Sequence, residues 1–219
     1  MSITKKVLSK DGSKIIYTKT GTGPALIQVL GALNKRGRGE KLADLLNQHF
    51  TVISYDRRGR GDSEDSSSYS VENEVNDIEA IIDAIGGNAF LYGQSSGAIL
   101  TLLAAHQLGK KVSGIVLYEV PYNDDSDALK LPMWKGLTAM APTLRYDTIE
   151  LMESFPNITT QEISVPTLVM YGEASPSFMA ETAKKLSNQI PHATLTSLAN
   201  QTHDVKPAAL APILIQYWK

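Results

Sequence analysis

The sequence predicts an α/β fold: a mostly parallel sheet flanked by helices on both faces, opened by an N-terminal β-hairpin and carrying a short helical lid. Three observations predict it. Brief β-favouring runs alternate with helical stretches along the chain, the pattern that builds parallel sheets covered by helices. Several of those runs are continuously apolar, as strands buried on both faces are. Turn residues bound each of them.

Taken in order, Lys6 to Leu8 and Lys14 to Thr18 flank Asp11-Gly12, a dipeptide that favours a tight hairpin turn because glycine tolerates positive φ. The run Ala25 to Leu30 ends at Gly31 and reads as the third strand. A helix is expected over Gly39 to Gln48 and a strand over Thr51 to Tyr55. Val71, Val75, Ile78, Ile81, Ile82 and Ile85 recur at spacings of three and four, which places them on one helical stripe. Glu72 and Glu74 in its first turn complement the helix dipole, and Gly86-Gly87 stops it. Strands follow at Asn88 to Tyr92, Val112 to Tyr118, Thr167 to Tyr171 and Ala193 to Leu198, with helices at Ser96 to Leu108, Ser177 to Asn188 and Lys206 to Trp218. The stretch from Asn123 to Ile163 breaks the rhythm, polar at its start and weakly helical after. It is read as a lid inserted within one domain spanning 1–219.

Bulk properties narrow the chemistry. A chain of 219 residues with 42% apolar content can bury a full core. A net charge of -2 and a pI near 6.1 offer no broad basic surface for phosphates, so nucleic acid is not an expected partner, and Lys35-Arg36-Gly37-Arg38 reads as a short solvated run. Without cysteine there is no disulfide, no thiolate nucleophile and no Cys-ligated zinc. No His-x-x-x-His or comparable cluster marks a metal, and no cofactor is expected. The opening MSITKKVLSKDGSK is polar and no segment approaches the length of a membrane span, so a cytoplasmic protein without a membrane partner is expected.

After the strand ending at Tyr92 comes Gly93-Gln94-Ser95-Ser96-Gly97, and then the helix-compatible Ala98 to Ala105. A Gly-x-Ser-x-Gly string alone is also an ordinary glycine-flanked turn. Between a strand and a helix it is a nucleophile elbow, whose glycines make room for a serine held in strained backbone geometry. Ser95 is therefore the candidate nucleophile, while Ser96 is not centred between the glycines.

The chain resembles the α/β-hydrolase superfamily, and within it small bacterial serine hydrolases, esterase-like, with a shortened cap. The resemblance covers almost the whole length and rests on Asp56-Arg57-Arg58-Gly59-Arg60-Gly61-Asp62-Ser63, the elbow Gly93 to Gly97, Tyr171-Gly172-Glu173-Ala174-Ser175-Pro176 and the segment from Gln201 to Leu214. It implies a triad histidine after the last strand, which His203 satisfies. His49, His106 and His192 stand before a strand or inside a helix. Asp204 reads as the start of the following helix. The superfamily's usual acid is an aspartate just past the seventh strand, where this chain has Ser175, which carries no charge to set against an imidazolium. Glu119, after the sixth strand, is the favoured replacement, and Glu173 the alternative. Asp56 reads as structural, paired with an arginine or with loop amides.

By the same resemblance the oxyanion hole comprises the amides of Ser96 and Ala32, with Gly31 permitting close approach. Met133, Trp134, Leu137, Met140 and Leu144 fall partly on one helical face. They either line an apolar acyl pocket or pack the lid on the core. The implied activity is cleavage of carboxylic esters or related acyl compounds, such as lactones or thioesters, through an acyl-enzyme on Ser95. The expected partner is a small apolar ester. Serine in place of aspartate at the elbow argues against dehalogenase and epoxide-hydrolase chemistry. The altered acid turn leaves open a second expectation, a ligand-binding protein that keeps the fold without useful turnover.

Overall fold

A computed structural model of the chain describes residues 2–66, 69–121, 143, 146–147 and 159–218. Among these, eight strands form one sheet: β1 (Ile3–Leu8), β2 (Lys14–Thr20), β3 (Ala25–Val29), β4 (Thr51–Tyr55), β5 (Ala89–Gln94), β6 (Val112–Tyr118), β7 (Thr167–Gly172) and β8 (Thr194–Leu198). Their spatial order is β1-β2-β4-β3-β5-β6-β7-β8. The β1–β2 and β2–β4 pairs are antiparallel and the remaining pairs parallel. This is the expected α/β-hydrolase architecture with its N-terminal hairpin. The hairpin connection is longer than a two-residue turn: Ser9 N–H donates to the Ser13 carbonyl, and Gly12 takes φ 86° inside the loop.

Among the described residues five α-helices cover the sheet: α1 (Glu40–Leu46), α2 (Val71–Ile85), α3 (Ser96–Leu108), α4 (Ser177–Gln189) and α5 (Pro207–Tyr217). Because side chains alternate along a strand, neighbouring residues enter different layers. Leu26 and Val52 pack with Leu42 and Leu46 of α1 and Leu210 and Leu214 of α5. Ile27 and Ile53, one residue on, pack with Ile78 and Ile82 of α2 and with Ile99 and Leu103 of α3.

The predicted boundaries hold within a few residues, and two differences have a physical cause. The last helix begins at Pro207 with Lys206 as its N-cap, since proline fits the first helical position, so Asp204 lies outside it. The first helix starts only at Glu40, after a 3-10 turn over Arg36–Gly39. In α2 the Ser70 side chain accepts from Asn73 N–H, and Gly86 ends the helix at φ 129°.

The chain leaves β3 for β4 on one side and returns to β5 on the other. That reversal opens a crevice at the carboxyl ends of β3 and β5, the usual place for a site in an open α/β sheet. Among the described residues no helix is long and apolar enough to cross a membrane.

Candidate active site

Ser95 stands between the last residue of β5 and the first of α3, with φ 56° and ψ −131°. A side chain in this region is strained, and the surroundings hold it there. Its N–H donates to the Tyr118 carbonyl at 3.0 Å, and its carbonyl accepts from Ala98 N–H at 2.8 Å. The flanking glycines are required by contact. A Cβ on Gly93 would lie 2.6 Å from Ala98 Cα, and one on Gly97 would lie 2.8 Å from the Leu30 carbonyl carbon. The bend can close only where both positions lack a side chain.

Glu119 follows β6 directly, at φ 49°, and its side chain is fully buried. One carboxylate oxygen lies 2.8 Å from His203 Nδ1. The other accepts from Gly172 N–H at 3.0 Å and from the Ser175 hydroxyl. Burial alone would raise this carboxyl's pKa, but the hydrogen bonds from His203, Ser175 and Gly172 outweigh it and hold the group below the usual carboxylate range. The acid is thus kept ionised beside the imidazole.

The loop carrying His203 is tied from several sides. Gln94 Nε2 donates to the His203 carbonyl at 2.7 Å, the Tyr118 hydroxyl to the Thr202 carbonyl at 2.6 Å, and Ala174 N–H to the Gln201 carbonyl at 2.9 Å. The imidazole itself is about half exposed, with 51% of its side-chain surface open. His203 and Ser95 line one cavity of about 190 Å³ together with Gly31, Ala32, Asn34, Arg38, Gln94 and Asp204.

Gly31 sits against the nucleophile: a Cβ there would lie 2.9 Å from Ser95 Cβ and 3.5 Å from its hydroxyl oxygen. The following turn is pinned by Asn34, whose side-chain amide donates to the Ala32 carbonyl at 3.0 Å. Ser96 opens α3, so its N–H belongs to the first turn, whose amides have no partner inside the helix. Ala32 thus stands beside Ser95 in the cavity wall, and Ser96 follows Ser95 at the start of α3.

On the other flank lies a buried ionic cluster with no counterpart in the sequence reading. Arg57 forks onto Glu74 with two contacts of 2.6 Å and reaches Asp147 at 2.6 Å; Arg60 meets Asp147 at 2.5 Å. Asp147 also accepts from the Ser96 hydroxyl at 2.7 Å. Arg58 forks onto Asp77 at 2.7 and 2.9 Å and reaches Asp11 at 2.8 Å. Arg57, Arg58, Arg60, Glu74, Asp77, Asp147 and Ser96 are all buried.

Several expectations meet this geometry. Ser95, His203, Ala32 and Gly31 surround one cavity, Ser96 follows Ser95, and Glu119 rather than Glu173 touches the imidazole; Glu173 instead accepts from the Ser197 hydroxyl at 2.7 Å. Asp56 is paired as expected, with the Arg36 guanidinium and with Asp62 N–H. Glu74 stands in the first turn of α2 as expected and is in addition a buried partner of Arg57. Two readings need correction. Asp204 pairs with Arg38 instead of starting α5. Arg36 clamps Asp56 and Asp62 instead of standing free in water. Met133, Trp134, Leu137, Met140 and Leu144, expected in a lid, lie outside the described residues.

Sequence and structure comparisons agree on what this chain is similar to. A model of the alpha/beta hydrolase family matches residues 36–218. An uncharacterized hydrolase, YraK, of Bacillus subtilis is 31% identical over 106 residues, 47% of this chain and 39% of that protein. A 2-(acetamidomethylene)succinate hydrolase of Mesorhizobium japonicum is 27% identical over 183 residues, 78% of this chain. The chain spans 66% of that relative's length. An alpha/beta hydrolase structure from Sphaerobacter thermophilus superposes with a TM-score of 0.81 at 38% identity, covering 98% of this chain and 100% of the other.

Proposed function

The chain belongs to the alpha/beta hydrolase family, and from that premise we propose that it is a serine hydrolase that cleaves carboxylic esters, or related acyl compounds, through an acyl-enzyme on Ser95. The observation that carries this reading is the 2.8 Å contact between His203 Nδ1 and the buried Glu119 carboxylate, with His203 and Ser95 on one cavity.

In this reading Glu119 accepts a hydrogen bond from His203 Nδ1–H and fixes the tautomer that leaves Nε2 free to accept. Ser95 Oγ attacks the carbonyl carbon and His203 Nε2 takes its proton. The carbonyl oxygen becomes an oxyanion held by the amides of Ala32 and Ser96. Collapse of the tetrahedral adduct breaks the ester C–O bond, and the imidazolium returns the proton to the departing alcohol. Water, deprotonated by His203, then attacks the acyl-enzyme and releases the acid and the free serine. Ser175 acts through Glu119: where relatives are expected to carry an aspartate, its hydroxyl supports a carboxylate that has moved one strand over. The Mesorhizobium relative is named for an amide-containing substrate, so amides belong with lactones and thioesters among the acyl compounds to be tried.

The test is a panel of short and medium acyl esters offered to the native protein and to Ser95→Ala, together with a fluorophosphonate probe. Native protein is expected to turn over at least one member and to be labelled at Ser95. Ser95→Ala should lose at least about 10⁴-fold in kcat. Absence of labelling and of turnover across the panel would leave the fold as a ligand-binding protein.

A further inference from the structure

Beside the cavity that holds Ser95 lies a second one of about 170 Å³, between α1, α5 and the carboxyl ends of β3 and β5. The two share Arg38, Gln94 and Asp204 in their walls, so the Arg38–Asp204 ion pair stands at their junction.

Two features suggest that the second cavity receives a polar, anionic group. Its charged lining is Arg38, Lys41 and Lys206 against the single carboxylate of Asp204. Its lining also includes two buried residues with polar atoms that find no partner among the described residues, Gln28 Oε1 and the Tyr92 hydroxyl, the residues being 0% and 1% exposed. The orientation of the Gln28 amide is fixed, because its NH₂ donates to the Gly39 carbonyl, which can only accept. The outstanding atom is therefore an acceptor. A buried polar atom without a partner is costly, and a ligand that supplies one is favoured by that amount. The Arg38–Asp204 pair does not resist exchange: its side chains are 57% and 73% exposed, and an ion pair so exposed contributes little.

We propose that this second cavity is a substrate subsite, and that the acyl compounds cleaved at Ser95 carry a free carboxylate together with a hydrogen-bond donor. The carboxylate replaces Asp204 on the Arg38 guanidinium, whose planar fork suits it, with Lys41 and Lys206 adding field. The donor, an amide N–H or a hydroxyl, reaches Gln28 Oε1, and the Tyr92 hydroxyl takes a second polar contact. The inference names the substrate class of the site proposed above and so rests on that reading. It replaces the purely apolar ester expected from sequence, since the described wall around Ser95 presents no apolar side chain larger than that of Ala32.

Binding tests it without requiring turnover. Ser95→Ala protein is titrated by calorimetry with N-acetylglutamic acid γ-methyl ester, with the corresponding dimethyl ester and with monomethyl glutarate. The first should bind about 10-fold or more tightly than the dimethyl ester, and a few-fold more tightly than monomethyl glutarate, which lacks the N–H. Adding Arg38→Ala should abolish the preference over the dimethyl ester. Tyr92→Phe should weaken only the N-acetylglutamate monoester, with Tm unchanged or raised, because the lost hydroxyl has no partner among the described residues. Equal affinity for the monoester and dimethyl ester, binding of neither up to about 10 mM, or a preference that survives Arg38→Ala would overturn the subsite. Turnover by native protein separates the two ideas. Ser95-dependent cleavage of both esters without preference removes the subsite and keeps the serine hydrolase. Preferential binding of the monoester without acylation of Ser95 keeps the subsite and removes the serine mechanism.

Discussion

The nucleophile lies between two clusters of arginines and carboxylates that differ in every physical respect. On one side Arg57, Arg58 and Arg60 are buried and multiply bonded to Glu74, Asp77 and Asp147. On the other, Arg38 and Asp204 meet in an exposed pair at the mouth of two cavities. A buried pair cannot open without stranding a charge in a low-dielectric interior, so the first cluster can only be architecture. An exposed pair loses little when water or a ligand replaces one partner, so the second is free to exchange. The Glu119–His203 pair stands between these extremes: the carboxylate is sealed and the imidazole is half open. That suits a base that must meet substrate on one side and keep its orientation on the other.

The largest expected effect falls on this intermediate pair. Glu119→Gln leaves the geometry but removes the charge that stabilises the imidazolium, and should lower kcat for an ester by about 10³- to 10⁴-fold. Glu173→Gln, whose carboxylate is occupied by Ser197, should change it less than about twofold. The reverse outcome would move the acid to the turn after β7. The same residue makes a pH prediction. Because the folded Glu119 carboxyl is held below its ordinary value, its contribution to stability is fully present above the usual carboxylate range. It is lost as pH falls through the folded value. The stability gap between native protein and Glu119→Gln, followed by urea unfolding, should therefore narrow only in acid, below about pH 4.

Next in size comes the buried cluster. Arg57→Met keeps most of the volume, takes the forked guanidinium from Glu74 and leaves Asp147 with Arg60 as its remaining cation, and should cost about 3–5 kcal/mol of unfolding free energy. A loss under about 1 kcal/mol would mean that the cluster rearranges as freely as the exposed pair, and the contrast between the two flanks would fail.

What could be read in advance follows the same division. Ser95 and Glu119 follow strand ends directly and His203 lies on the loop after β8, so strand order together with the family resemblance was enough to bring them to one edge of the sheet. The helices and strands were legible for the same reason, since Val75, Ile78 and Ile82 declare their face by spacing alone. The buried arginine cluster was not. Its members are joined across long stretches of chain, Asp147 most of all, which comes from a segment with little periodicity of its own. Arginine and glutamate usually mark solvent, and nothing local distinguishes a buried Glu74 from the exposed Glu72 two residues before it. One signal was available: Glu74 and Asp77 share the helix side that carries Ile78 and Ile81, an odd place for two carboxylates unless cations meet them there. Ser175 was legible as a missing aspartate but not as the hydroxyl that supports its replacement, because that role depends on where Glu119 points.

The smallest expected effect sharpens the comparison most. Arg38→Ala removes a guanidinium whose protein partner is an exposed carboxylate 166 residues away in sequence, a long-range contact of the kind that often looks structural. If exposure governs its worth, the change in unfolding free energy should stay within about 0.5 kcal/mol, and Asp204→Asn should match it. Raising the salt should leave the two variants and the native protein closer still, because a pair open to solvent is screened while Arg57 and Glu74 are not. A loss above about 1.5 kcal/mol for Arg38→Ala, persisting in high salt, would mean that the pair clamps the His203 loop to the turn before α1. Arg38 would then belong with the buried cluster as architecture, and its place at the junction of the two cavities would no longer point to a ligand.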